Sequence, residues 1–178
     1  MGHFYFTRHG QTIWNVENKI CGATDIALTE QGHCQAITLG REIAAGSYGI
    51  DKILYSPLIR AAETARHISE ETGIPMEEEP RLKEQNFGKY ESTPRDGTEF
   101  RAAKAHFIDR YDGGESMLQM AQRIFNLLDD IKAQPDTVYL LVAHNGISRF
   151  IEAYFRDMSN EEFAAFGIKN CALRKYEF

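Results

Sequence analysis

Apolar residues recur along this chain in two rhythms that alternate. The run HFYFT near the start is dense in aromatic residues and predicts a buried strand, as do KILYS at 52–56 and TVYLLVAH at 137–144. The last is apolar at nearly every position, the pattern of a strand covered on both faces at the centre of a parallel sheet. Between the strands the spacing changes to threes and fours. Ala36, Leu39 and Ile43 predict one face of a helix that follows Thr29 as N-cap, runs to about Ala45 and ends at Gly46. Leu58, Ala61, Ala65 and Ile68 predict a second helix, with Ser56 as its cap and Pro57 in its first position, closed by TGIP. The stretch ESMLQMAQRIFNLLDDIKAQ carries the clearest stripe, through Met117, Met120, Ile124, Leu127, Leu128 and Ile131. A helix from about Gly146, another from Ser159 and a strand near CALRKYEF complete the chain. Such alternation of strand and helix predicts an α/β sandwich. From Pro80 to Gly114 the rhythm breaks. Gly88, Pro94, Gly97, Gly113 and Gly114 leave room for one short helix near Glu99–Phe107 and mark a segment of lid or binding-loop type.

Polar chemistry collects where the predicted strands stop. FYFT runs into Arg8-His9-Gly10, KILYS into Ser56-Pro57 with Arg60 a turn later, and VYLLVA into His144-Asn145-Gly146. These are either ordinary loop residues or groups aimed at a ligand. In open α/β sheets ligands bind beyond the C-terminal ends of the strands. If the three strands are parallel neighbours, two arginines and two histidines converge there, a set suited to phosphoryl transfer. Arginine supplies an always-charged fork of donors, a neutral histidine nitrogen can attack phosphorus, and a carboxylic acid opposite would protonate the leaving oxygen. Helices beginning near Ser56 and Gly146 would add backbone N–H groups pointing at the anion.

Composition narrows the partners. A formal net charge of -6 makes general binding of nucleic acid or anionic membrane unfavourable, so any bound anion needs a local basic pocket. No stretch approaches the roughly 18 apolar residues of a membrane span, and the start reads as a strand rather than a leader peptide. Three cysteines, Cys21, Cys34 and Cys171, without C-x-x-C spacing, fit a reducing cytosol. A length of 178 residues suits one domain over 1–178, with 85–115 as a specificity or lid segment. His3, His33, His67 and His106 lack the strand-end context and are read as structural or surface residues, and no His, Cys or carboxylate set has convincing metal-ligand spacing.

Five ordered blocks together resemble the histidine phosphatase superfamily, the phosphoglycerate mutase-like group. RHGQTIWN is similar to its R-H-G-x-T-x-x-N signature and GATDIALTEQGHCQA to the segment that follows. SPLIRAAETA, LKEQNFGKYE and VAHNGISR are similar to its arginine, acid and second-histidine motifs. The resemblance implies a three-layer sandwich with a central, mostly parallel mixed sheet. It implies that His9 takes the phosphoryl group and that Arg8, Arg60 and His144 bind its oxygens, helped by Thr12, Asn15 and Asn145. Glu84 would be the acid and then the base. Cys21 and Gly22 would border the substrate, with simple packing the other reading of Cys21. No metal or organic cofactor is implied. The expected protein is a cytoplasmic phosphomonoesterase acting on a small phosphorylated molecule, as a monomer or homodimer. The alternatives are a phosphoglycerate mutase and an inactive phosphoryl-binding module. The mutases of this group have an arginine directly after the acid and an arginine pair beyond it. Here Gln85 follows Glu84, and Arg95, Arg101, Lys104 and Arg110 stand singly, so a weak hold on a second anionic group is expected.

Overall fold

The five residues of the strand Tyr139–Ala143 are all buried. Alternate side chains of a strand face opposite ways, and here Tyr139, Leu141 and Ala143 enter one apolar cluster while Leu140 and Val142 enter another. A strand that needs cover on both faces belongs in the middle of a sheet, and that is where it lies. The computed structural model describes residues 2–178. In chain order its elements are β1 (His3–Arg8), α1 (Ile13–Val16), α2 (Glu30–Ala45), β2 (Lys52–Tyr55), α3 (Ile59–Thr72), β3 (Met76–Glu78), α4 (Thr98–Ala103), α5 (Met117–Lys132), β4 (Tyr139–Ala143), α6 (Asn145–Phe155), α7 (Asn160–Ala165) and β5 (Leu173–Glu177). The strands form one sheet in the order β3-β2-β4-β1-β5. β3, β2, β4 and β1 are mutually parallel, and β5 closes the edge antiparallel to β1.

Helices cover both faces. α5 and α6 pack Met120, Ile124, Leu127, Leu128, Ile147 and Ile151 against Phe4, Phe6 and Leu141. α2 and α3 pack Leu39, Ile43, Ala61, Ala65 and Ile68 against Ile53, Leu140 and Val142. Fully burying each such aliphatic or aromatic side chain contributes about 1.5–3 kcal/mol. The result is the three-layer sandwich with a mostly parallel mixed sheet.

Several sequence expectations change. α3 starts later than the Ser-Pro pair suggested. Its N-cap is Leu58, with no side-chain cap, and the Ser56 hydroxyl lies 2.7 Å from His144 Nε2 and accepts from the Leu58 N–H at 3.4 Å. β3 and α1 were not expected; both are short, and Met76–Glu78 has an edge strand's exposure. The helix expected near Glu99–Phe107 is only Thr98–Ala103. Residues 85–115 are irregular but organised around a small core of their own, in which Phe87, Phe100, Ala103 and Tyr111 pack with Ile20.

Candidate active site

β4 sets the position of three side chains. The His9 N–H donates to the Ala143 carbonyl at 3.0 Å and the Ser56 N–H to the Val142 carbonyl at 3.1 Å, so the ends of β1 and β2 are tied to β4 just before His144. The rings of His9 and His144 lie 5.2 Å apart, centroid to centroid. His144 Nε2 is 2.7 Å from Ser56 Oγ. His9 Nδ1 is 2.7 Å from the Gly10 carbonyl oxygen. A carbonyl only accepts, so that nitrogen carries the proton and, in the neutral ring, Nε2 keeps its lone pair. Burial first, and then the Arg60 and Arg8 cations, hold the His9 imidazolium well below the usual histidine range. Burial and Arg60 do the same to His144. Both rings are therefore neutral at neutral pH.

The two arginines approach from different sides. Arg60, on the first turn of α3, is 1% exposed. Its guanidinium donates to the Gly22 carbonyl at 2.7 Å and the Thr24 carbonyl at 2.9 Å. That loop is held in turn by Glu91, whose carboxylate accepts from the backbone N–H groups of Gly22 and Ala23 at 3.1 and 3.0 Å and from the Thr24 hydroxyl at 2.7 Å. Arg8, at the end of β1, donates to the Ile168 carbonyl at 3.2 Å. Burial, then Arg95, pulls its pKa down to about 10, as expected where cations crowd. Arg8 Nε, Arg60 Nε and His144 Nδ1 are buried without a hydrogen-bond partner. Leaving a buried polar group unpaired costs about 1–3 kcal/mol, more if charged, and three at one spot mark an anion-receiving pocket.

Glu84 closes the opposite side. It is 5% exposed, and its two oxygens accept from the Gln85 N–H at 2.9 Å and the Gly146 N–H at 2.9 Å. A Cβ on Gly146 would stand 2.3 Å from Glu84 Oε1, so this approach requires glycine. Two of the N–H groups at the helix N-termini are used within the protein: Gly146 N–H serves Glu84, and Ile59 N–H, at the start of α3, donates to Asp25 at 2.7 Å. Thr12 and Asn15 bond each other in the capping box of α1, at 3.2 and 3.1 Å. Asn145 Oδ1 accepts from the Ile168 N–H at 2.9 Å. Gly22 acts through its backbone, on Arg60 and Glu91.

Beyond Glu84 a cleft opens. Cys21 and Asn145 line it, and so do Arg95, Lys104, Arg149 and the rings of Phe87 and Phe100. Burial, then Arg149 and Arg95, pulls the Lys104 pKa down to about 8. Burial likewise lowers both arginines, Arg149 and Arg95. This corrects the reading of Arg95 and Lys104 as isolated charges. They come from the irregular segment to meet Arg149 on α6, a residue not singled out in the sequence. Its signal was available: it sits five residues after His144 on a helix that starts at the site.

A sheet whose parallel strand ends gather two histidines and two arginines against a carboxylate defines a protein built to receive a phosphoryl group. The chain belongs to the histidine phosphatase superfamily (branch 1), whose profile matches residues 4–178. It is thus an enzyme of a phosphatase or mutase family. It is 34% identical over 151 residues to the probable phosphoglycerate mutase GpmB of Erwinia tasmaniensis, covering 81% of this chain and 69% of the relative. Among solved structures it is similar to a mycobacterial glucosyl-3-phosphoglycerate phosphatase complexed with VO3, with TM-score 0.84, 26% identity and coverage of 98% and 90%. YhfR of Bacillus stearothermophilus gives TM-score 0.83, 26% identity and coverage of 98% and 90%.

Proposed function

We propose that the chain hydrolyses a phosphomonoester whose alcohol part bears a second anionic group, through a phosphohistidine on His9. The observation that carries this is the 2.7 Å bond from His9 Nδ1 to the Gly10 carbonyl, which leaves a neutral Nε2 as the nucleophile beside two arginines. Nε2 attacks phosphorus as the P–O bond to the alcohol breaks. Arg8, Arg60 and His144 bind the three peripheral oxygens, where charge builds up. Glu84 gives its proton to the departing oxygen, then takes one from the water that attacks the phosphohistidine, releasing phosphate and restoring the acid. Arg95, Lys104 and Arg149 receive the second anionic group, and Phe87 and Phe100 flank the part between.

The same three cations favour a second reading, a mutase that retains its doubly charged product and returns the phosphoryl group to it. One set of experiments separates the readings. Rapid quench with a labelled phosphomonoester is expected to trap an acid-labile, alkali-stable adduct. His9→Ala should abolish the adduct and cut turnover by on the order of 10⁴–10⁶. With 3-phosphoglycerate and a trace of 2,3-bisphosphoglycerate, free phosphate should outpace 2-phosphoglycerate. Interconversion much faster than any hydrolysis would establish the mutase, and full activity in His9→Ala would overturn the covalent route.

A further inference from the structure

On the outer side of the α2–α3 layer, two histidines that the sequence keeps apart meet. His33 on α2 and His67 on α3 have their ring nitrogens Nδ1 and Nε2 2.8 Å apart across 34 residues, with the rings at 89°. Glu63, one turn before His67, completes a trio whose ligand atoms all lie within 4.8 Å of one another, each half-buried. Close packing of the two helices makes this possible: a Cβ on Gly40 would lie 2.9 Å from the Glu71 Cβ.

We infer that this seam binds a divalent transition-metal ion of the zinc type through His33 Nδ1, His67 Nε2 and the Glu63 carboxylate. Two imidazoles and one carboxylate, with water in the fourth place, form a ligand set that zinc accepts. Tetrahedral bonds of about 2.0–2.1 Å put ligand atoms roughly 3.3 Å apart, so the two nitrogens need open by only about half an ångström. The surroundings orient the donors. Glu70 Oε2 faces His67 Nδ1 at 3.7 Å, which favours the proton there and leaves Nε2 with its lone pair. In the metal-free protein His33 then donates from Nδ1. When metal binds, that proton moves to His33 Nε2, both rings stay neutral, and no other reactant is needed. Glu63 is held ionised chiefly by its hydrogen bond from Arg66. Arg66 bonds both Glu63, at 2.7 Å, and Glu70, at 2.6 Å. When Glu63 turns to the metal, Arg66 keeps Glu70. The Arg66 cation opposes the ion, which sets a moderate rather than extreme affinity.

The site lies behind the phosphoryl pocket and is separate from it. Thr64, next to Glu63, accepts the Gly10 N–H at 3.0 Å, and its hydroxyl donates to the Arg60 carbonyl at 2.7 Å. A bound ion would clamp the two helices that carry the backbone beneath His9. It takes no part in the chemistry proposed above.

The test is titration of the full chain with Zn²⁺, with Mg²⁺ as a control, read by thermal unfolding and by imidazole ¹⁵N NMR. Zn²⁺ at about a hundredfold over its dissociation constant should raise the unfolding midpoint by roughly 5–10 °C, and Mg²⁺ should not. The ¹⁵N signals of His33 and His67 should move, and those of His9 and His144 should not. The double substitution His33→Asn, His67→Asn should abolish the shift, and Glu70→Gln should weaken binding about ten- to a hundredfold. An undiminished shift in the double variant, or His33 and His67 signals unmoved by Zn²⁺ in the wild type, would overturn the proposal. The NMR measurement needs no variant, so it decides even if the double substitution prevents folding.

Discussion

The phosphoryl pocket and the cleft beside it hold similar charges in opposite ways. In the pocket His9, Arg60 and His144 sit on a strand end or a helix terminus and are almost fully buried. His9 is 4% exposed, Arg60 1% and His144 0%. His9 and Arg60 are fixed by hydrogen bonds to backbone carbonyls and His144 by the Ser56 hydroxyl, so little reorganises during reaction. In the cleft, Arg95 and Lys104 come from an irregular segment and are half-buried. Arg95 is fixed by one bond to the Lys19 carbonyl at 2.8 Å, and Lys104 only lies over the Phe100 ring. Preorganised donors suit a transition state common to all phosphomonoesters, whereas long side chains on loops suit recognition of one particular alcohol. On the proposed reading, phosphoryl binding sits at the sheet's end and selectivity in the cleft beside it.

Substitutions can break this contrast at either end. The largest effect is expected from Glu84→Gln, whose single amide oxygen can keep the bond from Gly146 or that from Gln85 but not both, and which removes the acid. Alkyl phosphates should lose about 10²–10⁴-fold, and p-nitrophenyl phosphate, whose leaving group needs no proton, much less. Equal losses on both would move the acid role elsewhere. Glu91→Gln touches no substrate yet loosens the Gly22–Thr24 carbonyls that aim Arg60. Since an ångström of misplacement costs up to about 10²-fold, kcat should fall on every substrate by up to that factor. A loss seen only in KM would show that the loop serves the cleft instead.

Lys104→Met should raise KM about ten- to a hundredfold for a doubly anionic substrate, the loss of one charged hydrogen bond of about 1.5–3 kcal/mol, and leave p-nitrophenyl phosphate unaffected. In the wild type kcat/KM for the doubly anionic substrate should fall as pH rises through about 8, where Lys104 gives up its proton. The variant should lack that limb. The last effect concerns stability rather than rate. His9 and His144 have depressed folded-state pKa values, so below the ordinary histidine value the unfolded chain binds protons that the folded chain refuses. Stability should therefore fall as pH drops below about 6.5, by up to about 1.4 kcal/mol per pH unit for each ring. Urea midpoints at pH 7, 6 and 5 measure it; a flat profile would mean that the rings titrate normally.

What could be read from the sequence was whatever is local. The apolar β4 run, the stripe of α5, the Thr29 cap and the helix start at Ser159 depend on side chains within a few residues, and each appears as read. The strand-end residues Arg8, His9, Arg60 and His144 were legible for a related reason. Parallel strands align their C-terminal ends, so residues placed there meet whatever the loops do.

Contacts with no local rule were decided by the tertiary structure. Ser56 looks like a helix cap, but the N-cap is Leu58, and the neighbouring β4 end brings His144 to the Ser56 hydroxyl. Gly146 looks like a phosphate-binding N–H, but Glu84 from a distant loop takes it. Arg95 and Lys104 look isolated until α6 supplies Arg149 beside them, and His33 meets His67 only because α2 and α3 pack closely. Hydrophobic periodicity determines which face of each element is buried. Which polar side chains then share a site depends on the packing of elements far apart in the chain.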